Sequence, residues 1–310
     1  VLQVDAGELA LRLRIGDSRL QPAAPDADRA QQIAQLGRPR LKTKSALSYF
    51  GSDSEVAGPL AAMLNHCRHV TIPFCGGLSI LPHLTARAIV ANDAHWQVIN
   101  FYRFASGRFG QAAQRELLEK CQATLSHPAE LRTAEFYLQT DSLPDTISQA
   151  WAFWAACWIG RKGTGGTTRQ GGKPSIRRTA DGGNNASRLR AAADDLAAWA
   201  AQFERCEWES VCFRELLPKV ADRPDCGIYC DPPWVELGKN YLHTFAEQDH
   251  RDLAAQLDRF QSTTVVLRYG DHPLVRDLYC AWRITQATSR AQSNANKPEL
   301  WITNRPTVGN

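Results

Sequence analysis

Tyr229-Cys230-Asp231-Pro232-Pro233-Trp234 is the stretch from which the rest of the chain can be read. The run from Cys226 to Cys230 is short, mostly apolar and ends at an acid, the pattern of a buried strand delivering its carboxyl end to a ligand crevice. An acid, two prolines and an aromatic ring stand at that end. The prolines fix φ and offer no N–H to compete with a ligand. Asp231, together with the carbonyl of Pro232, makes an acceptor pair suited to both hydrogens of a nucleobase or amide-like NH2. Such an amine is a poor nucleophile because its lone pair is delocalised. Acceptors placed nearer to the transition-state geometry than to the flat ground state raise its reactivity. Trp234 offers a flat face for a planar base drawn out of a duplex. An ordinary strand-to-turn junction would contain some of these residues, so the flanking sequence has to decide.

Upstream, His69 to Phe74 reads as a strand broken by Cys75-Gly76-Gly77, and Ala88 to Ala91 as a second strand ending in Asn92-Asp93. The glycine pair lets backbone approach a ligand closely. An acid at the end of the second strand suits ribose hydroxyls, which makes a nucleoside-type pocket beside Asp231. Two adjacent glycines alone also fit a plain tight turn. Before them, residues 1–44 read as an arm with Leu-Arg alternation and a short helical pattern, and Ser48 to Asp53 as a capped turn entering a helix through Asn65.

Between the two motifs the texture is helical: Ala94 to Ala105, Gln111 to Thr124, Asp145 to Trp158 and Ala186 to Phe203. Trp151, Phe153, Trp154 and Trp158 fit a core better than a binding platform. Gly160 to Gly183 carries eight glycines and six basic residues, Arg161, Lys162, Arg169, Lys173, Arg177 and Arg178, with no acid before Asp181. A long basic loop of this kind suits phosphate contact, against the plain alternative of a solvated surface loop. Ser210 to Phe213 reads as a strand. Past Trp234, a helix through Gln256, a strand over Thr263 to Tyr269, a helix over Pro273 to Cys280 and a closing hairpin of Trp282 to Gln286 with Glu299 to Thr303 complete the chain. Strands alternating with helices predict a doubly wound, Rossmann-like α/β sheet with an antiparallel C-terminal hairpin and an inserted helical segment.

Composition narrows the class. The chain has 310 residues, 44% hydrophobic and 22% charged, which excludes a disordered protein. Thirty-six basic against 32 acidic residues leave only +4, which permits a nucleic-acid partner without demanding one. Nine cysteines are scattered with no C-x-x-C pair, so no metal site is expected and a reducing cytoplasm is. No apolar run approaches the roughly 18 residues of a membrane span, and no signal peptide is expected.

In this order the parts resemble the Dam-type adenine-N6 DNA methyltransferases, from about Ser45 to Asn304. Pro73-Phe74-Cys75-Gly76-Gly77 is similar to their cofactor motif, Asp93 to their ribose-side acid, Asp231-Pro232-Pro233-Trp234 to their Asp-Pro-Pro-Tyr, and Tyr49-Phe50-Gly51-Ser52-Asp53 to an N-terminal cofactor segment. Ile159 to Gly163 and Tyr241 to His250 resemble flanking segments. Leu78 stands in place of a second motif glycine, Asp53 in place of a lysine, and Trp234 in place of tyrosine.

The resemblance implies S-adenosylmethionine held by Tyr49, Gly51, Asp53, Pro73, Phe74, Cys75, Gly76, Gly77, Asp93 and Asp231. It implies catalysis by Asp231, Pro232, Pro233 and Trp234, and DNA contact by the six basic loop residues with Tyr241. The implied layout is an arm over residues 1–44, a catalytic domain over 45–100 and 205–310, and a recognition insertion over 101–204, in a restriction or phage-defence setting. RNA as the polymer, cytosine N4 as the target, and a nucleic-acid-binding relative without catalysis remain open at this point.

Overall fold

The computed structural model describes residues 41–49, 55–139, 146–160, 174, 176, 184–235, 243–290 and 296–304. Seven strands form one sheet: β1 (His69–Ile72), β2 (Ala88–Asn92), β3 (Cys206–Glu209), β4 (Cys226–Cys230), β5 (Thr264–Gly270), β6 (Arg283–Arg290) and β7 (Asn296–Thr303). Their order is β3-β2-β1-β4-β5-β7-β6. The first five run parallel, and β7 enters antiparallel between β5 and β6. The doubly wound sheet with an antiparallel C-terminal hairpin expected from the sequence is therefore present.

A parallel sheet is covered on both faces, which is why its central strands are apolar on both sides. β4 is buried at every residue, and β5 at all but its last. One cover is the short helix α1 (Ala57–Ala62) and the turn after it, which lie against β4 at Gly227. A Cβ there would stand 2.8 Å from Leu64 Cδ2 and 2.9 Å from Cys67 Sγ. On the β4–β5 side, α8 (Glu247–Leu257) and α9 (Pro273–Leu278) contribute Leu253, Leu257 and Val275 to a core with Ile228, Leu267, Leu300 and Ile302.

Among the described residues, five helices come between β2 and β3: α2 (Trp96–Ala105), α3 (Gln111–Ala123), α4 (Pro128–Gln139), α5 (Ile147–Ile159) and α6 (Asn185–Phe203). α5 is buried over its whole length from Gln149, an apolar rod that the others surround. Trp151, Phe153, Trp154 and Trp158 are core, as their crowding predicts. Two of the indoles are tied down locally: Trp151 Nε1 donates to Thr124 Oγ1 at 2.8 Å and Trp158 Nε1 to the Ala46 carbonyl at 3.3 Å. The first described segment is strapped to α6, where Asp195 Oδ2 accepts from the Thr43 amide at 2.6 Å and the Thr43 hydroxyl at 2.9 Å.

Three sequence readings need correction. The strand before the central motif lies at Cys206–Glu209, not Ser210 to Phe213. Its two glutamates, one exposed and one half-buried, disguise it as loop, while Asn92 claims both the Val211 amide and carbonyl and Phe213 opens a short helix, α7 (Phe213–Leu216). α4 was not expected, although Pro128 starts it and Leu131, Ala134 and Leu138 form its buried stripe. The hairpin strands are longer than predicted, because an edge strand with many exposed polar residues lacks the apolar signature of a strand.

Because the Gly227 contacts are with α1-side core atoms, Gly227→Val is expected to destabilise the fold by about 1–3 kcal/mol, the usual cost of overpacking. Urea unfolding with an unchanged m value measures it.

Candidate active site

Strand order reverses at the β1–β4 pair, where β1 continues leftward to β2 and β4 rightward to β5. At such a switch point the connections leave in opposite directions and open a crevice above the carboxyl ends of the strands. His69, Val70 and Thr71 pair with Cys226, Gly227 and Ile228, so the two strands end side by side. The glycine turn leaves one and Asp231 leaves the other.

The glycine turn is built from outside itself. Gly76 has φ +43° and its N–H donates to Asp93 Oδ2 at 3.0 Å, while its carbonyl accepts from the Tyr102 hydroxyl at 2.7 Å. The Gly77 carbonyl accepts from the Ala46 amide at 3.1 Å, and a Cβ on Gly77 would stand 2.8 Å from the Leu47 carbonyl oxygen. Tyr49 lies over Gly76, its Cδ1 3.2 Å from where a Cβ would be, and its ring centroid is 6.4 Å from that of Phe153 on α5. Asn92, fully buried, ties the strand ends together by donating to the Pro73 carbonyl at 2.9 Å and the Val211 carbonyl at 3.0 Å. Cys75 is buried, which pushes its thiol well above the ordinary range and keeps it protonated.

Asp93 has a double task. Its Oδ1 accepts from the His95 amide at 2.9 Å and its Oδ2 from Gly76, which fixes the carboxylate at the end of β2. Each oxygen has a second acceptor site for a ligand. Burial pushes its pKa up to about 6, against those two hydrogen bonds and the nearby His243, which pull it down. Phe74 points the other way, into an aromatic group with Phe213 at 5.7 Å and Phe245 at 5.8 Å.

On the β4 side, Pro232 is buried and Asp231, Pro233 and Trp234 are half-buried. Asp231 Oδ2 accepts from Arg268 Nη1 at 3.0 Å, and Oδ1 meets Trp234 Nε1 at 3.4 Å. The indole lies against Gly270, where a Cβ would come within 2.5 Å of Trp234 Cε3, and the Arg268 guanidinium sits 5.2 Å from its ring centroid. Arg268 in turn donates through Nε and Nη2 to Glu299 Oε2 at 3.1 and 2.9 Å. Arg268, Gly270 and Glu299 escaped the sequence reading. The available signal was a lone arginine in the apolar run Thr264-Val265-Val266-Leu267-Arg268 and an acid opening the final apolar run.

The structure therefore brings Tyr49, Pro73, Cys75, Gly76, Gly77 and Asp93 to one side of the crevice, with the Phe74 backbone between them and its ring turned away, and Asp231 to Trp234 to the other. Gly51, Asp53, Arg161, Lys162, Arg169, Lys173, Arg177, Arg178 and Tyr241 lie outside the described residues. At the root of the basic segment, Gly160 forms an antiparallel bridge with Pro174.

The family model of the D12 class N6 adenine-specific DNA methyltransferases matches residues 49–292. The chain belongs to this class. The match takes in both sides of the crevice and the helices between them, and stops before Glu299. Comparison with curated proteins yields no match. Among solved structures, SMU.472, described as a methyltransferase complexed with SAH, aligns at 12% identity over 60% of this chain and 55% of its own, with a TM-score of 0.27. The chain thus spans about half the length of that protein, a likeness too loose to carry over any residue or role.

For a member of the D12 class, Leu78 is the departure with a visible backbone consequence. It adopts φ +56°, the left-handed conformation that glycine enters freely, and its amide closes the turn on the Cys75 carbonyl at 2.8 Å. Its side chain is only 2% exposed, so burial holds the residue in a conformation costing about 1–2 kcal/mol. The turn geometry is thus retained without the glycine. Leu78→Gly is expected to relieve that strain yet lose a buried leucine worth about 2–5 kcal/mol, for a net destabilisation of about 1–3 kcal/mol in chemical denaturation.

Proposed function

We propose that the protein transfers a methyl group from S-adenosylmethionine to the N6 amine of an adenine in DNA. The observation that carries this reading is the adjacency of the glycine turn and the Asp231–Trp234 corner across the β1–β4 pair, within a chain of the D12 class. The cofactor side fits an adenosyl group: Gly76 and Gly77 keep the turn free of side chains, and Asp93 is fixed with acceptor capacity to spare for ribose hydroxyls. Tyr49, Pro73, Phe74 and Cys75 complete that wall, with Gly51 and Asp53 on the segment following Tyr49.

The cofactor supplies an electrophilic methyl group on a sulfonium. Asp231 and the Pro232 carbonyl accept the two amine hydrogens and turn the nitrogen lone pair toward the methyl group, so the nitrogen is held near its reacting geometry. Pro233 stiffens the corner, and Trp234 stacks on the flipped base. The excess proton leaves the methylated nitrogen for solvent. In this reading residues 45–100 and 205–310 are catalytic, 101–204 recognise the target, and residues 1–44 form an arm. Arg161, Lys162, Arg169, Lys173, Arg177, Arg178 and Tyr241 contact the DNA backbone. All nine cysteines are free, which supports a reducing compartment such as the cytoplasm. Among the described residues no helix is long and apolar enough to cross a membrane.

Labelled methyl from S-adenosylmethionine is expected in unmodified DNA as N6-methyladenine after nucleoside digestion, and to fall by about 100-fold or more with Asp231→Ala. Label absent from DNA, or found in RNA or on cytosine instead, rejects the assignment. A second expectation concerns Asp93. With its pKa near 6 it is ionised above that pH and protonated below, and a hydroxyl donates more strongly to the ionised form. Cofactor affinity should therefore rise by roughly 5–10-fold between pH 5 and pH 7.5, with a midpoint near 6. Calorimetry across that range measures it. Asp93→Asn should leave affinity low and the titration flat, and a flat wild-type profile would remove Asp93 from the ribose site.

A further inference from the structure

Arg268 stands inside a strand whose neighbours Val265, Val266, Leu267 and Tyr269 are at most 1% exposed, and is itself only 5% exposed. A guanidinium removed from water is costly unless paired and hydrogen-bonded. Here its fork is divided. Nε and Nη2 both donate to Glu299 Oε2, and Nη1 donates to Asp231 Oδ2. Glu299 is fully buried, and its other oxygen accepts from Trp301 Nε1 at 2.8 Å. The register explains the convergence: Gly270 pairs with Glu299 and Arg268 with Trp301, so the four share one face of the β5–β7 ladder.

Stability alone does not account for this arrangement. Buried ion pairs are often matched or bettered by apolar residues of similar volume, whereas apolar side chains here would remove the arginine's hydrogen bond to Asp231. Glu299 also offsets the arginine, whose positive charge would otherwise oppose the one passing to the target amine.

We propose that Arg268, held from behind by Glu299, is a positioning residue for methyl transfer: it binds one oxygen of Asp231 and thereby aims the other at the amine. This rests on the function proposed above, with Asp231 as acceptor. Oδ2 accepts from the arginine at 3.0 Å, and the contact of Oδ1 with the Trp234 indole is the longer one at 3.4 Å, which a closer amine hydrogen displaces readily.

The test is steady-state methyl transfer by the full chain as wild type, Arg268→Gln, Arg268→Lys and Arg268→Gln/Glu299→Gln, each checked for folding by thermal unfolding. Arg268→Gln is expected to lose about 10–100-fold in kcat, the worth of one charge-assisted hydrogen bond, with KM for cofactor and DNA within about twofold of wild type. Arg268→Lys, which keeps a charge beside Asp231, should recover part of the loss. A merely structural role would lower the unfolding temperature without this selective fall in kcat. If Arg268→Gln fails to fold because Glu299 is left unpaired, the double variant removes both charges and should show the same kcat deficit. Wild-type kcat in whichever of the two folds, or a loss confined to KM, overturns the proposal. An active wild type with an insensitive Arg268 variant defeats this inference alone, whereas a wild type that methylates no DNA defeats the function beneath it.

Discussion

The parallel pairing of β1 with β4 is the constraint on which the site depends. His69 to Thr71 lie against Cys226 to Ile228, so two chain segments more than 150 residues apart end at the same height on the sheet. Both walls of the candidate site, the glycine turn and the Asp231–Trp234 corner, are attached to those two ends. The pairing is sustained by burial on both faces of β4, including the close approach of Leu64 and Cys67 that only a glycine at 227 permits. A one-residue slip would turn Val70 and Ile228 away from their cores and separate the glycine turn from Asp231.

Around the crevice the structure relies on side chains tying backbone ends together. Asn92 bonds to the backbone at Pro73 and Val211, Asp93 holds Gly76 and His95, and Tyr102 caps the Gly76 carbonyl. Loop amides at the ends of parallel strands have no ladder partner, so such side chains supply the missing bonds and stiffen the loops. The inserted helices take part as well. Phe153 of α5 lies near both Tyr49 and His95, with ring centroids 6.4 and 5.1 Å away, so the core of the insertion also forms the underside of the proposed cofactor wall. A change in packing along α5 would be felt at the glycine turn.

On the β4 side the corner itself is held by charges above an apolar core. Asp231, Arg268 and Glu299 form a chain of ion pairs in which the arginine bridges the two carboxylates. Such a chain transmits position: moving β7 moves Glu299, then Arg268, then Asp231. This gives the antiparallel strand a reason beyond covering the sheet edge, because it supplies the outer carboxylate.

The sequence by itself determined the fold class, through alternation of apolar runs with helical periods, and singled out both ends of the candidate site, because a glycine pair after one strand and Asp-Pro-Pro-Trp after another have direct chemical meanings. It also identified the aromatic cluster of α5 as core. Local pattern misplaced β3 and missed α4, since β3 carries two glutamates in four residues and α4 a narrow buried stripe. Only the tertiary structure decided that Arg268 and Glu299 join Asp231, since the ladder register sets that contact and no short-range spacing encodes it. It also decided the meaning of Leu78. In the sequence that residue is a missing glycine. In the fold it is a buried side chain whose packing holds the left-handed backbone that the turn requires.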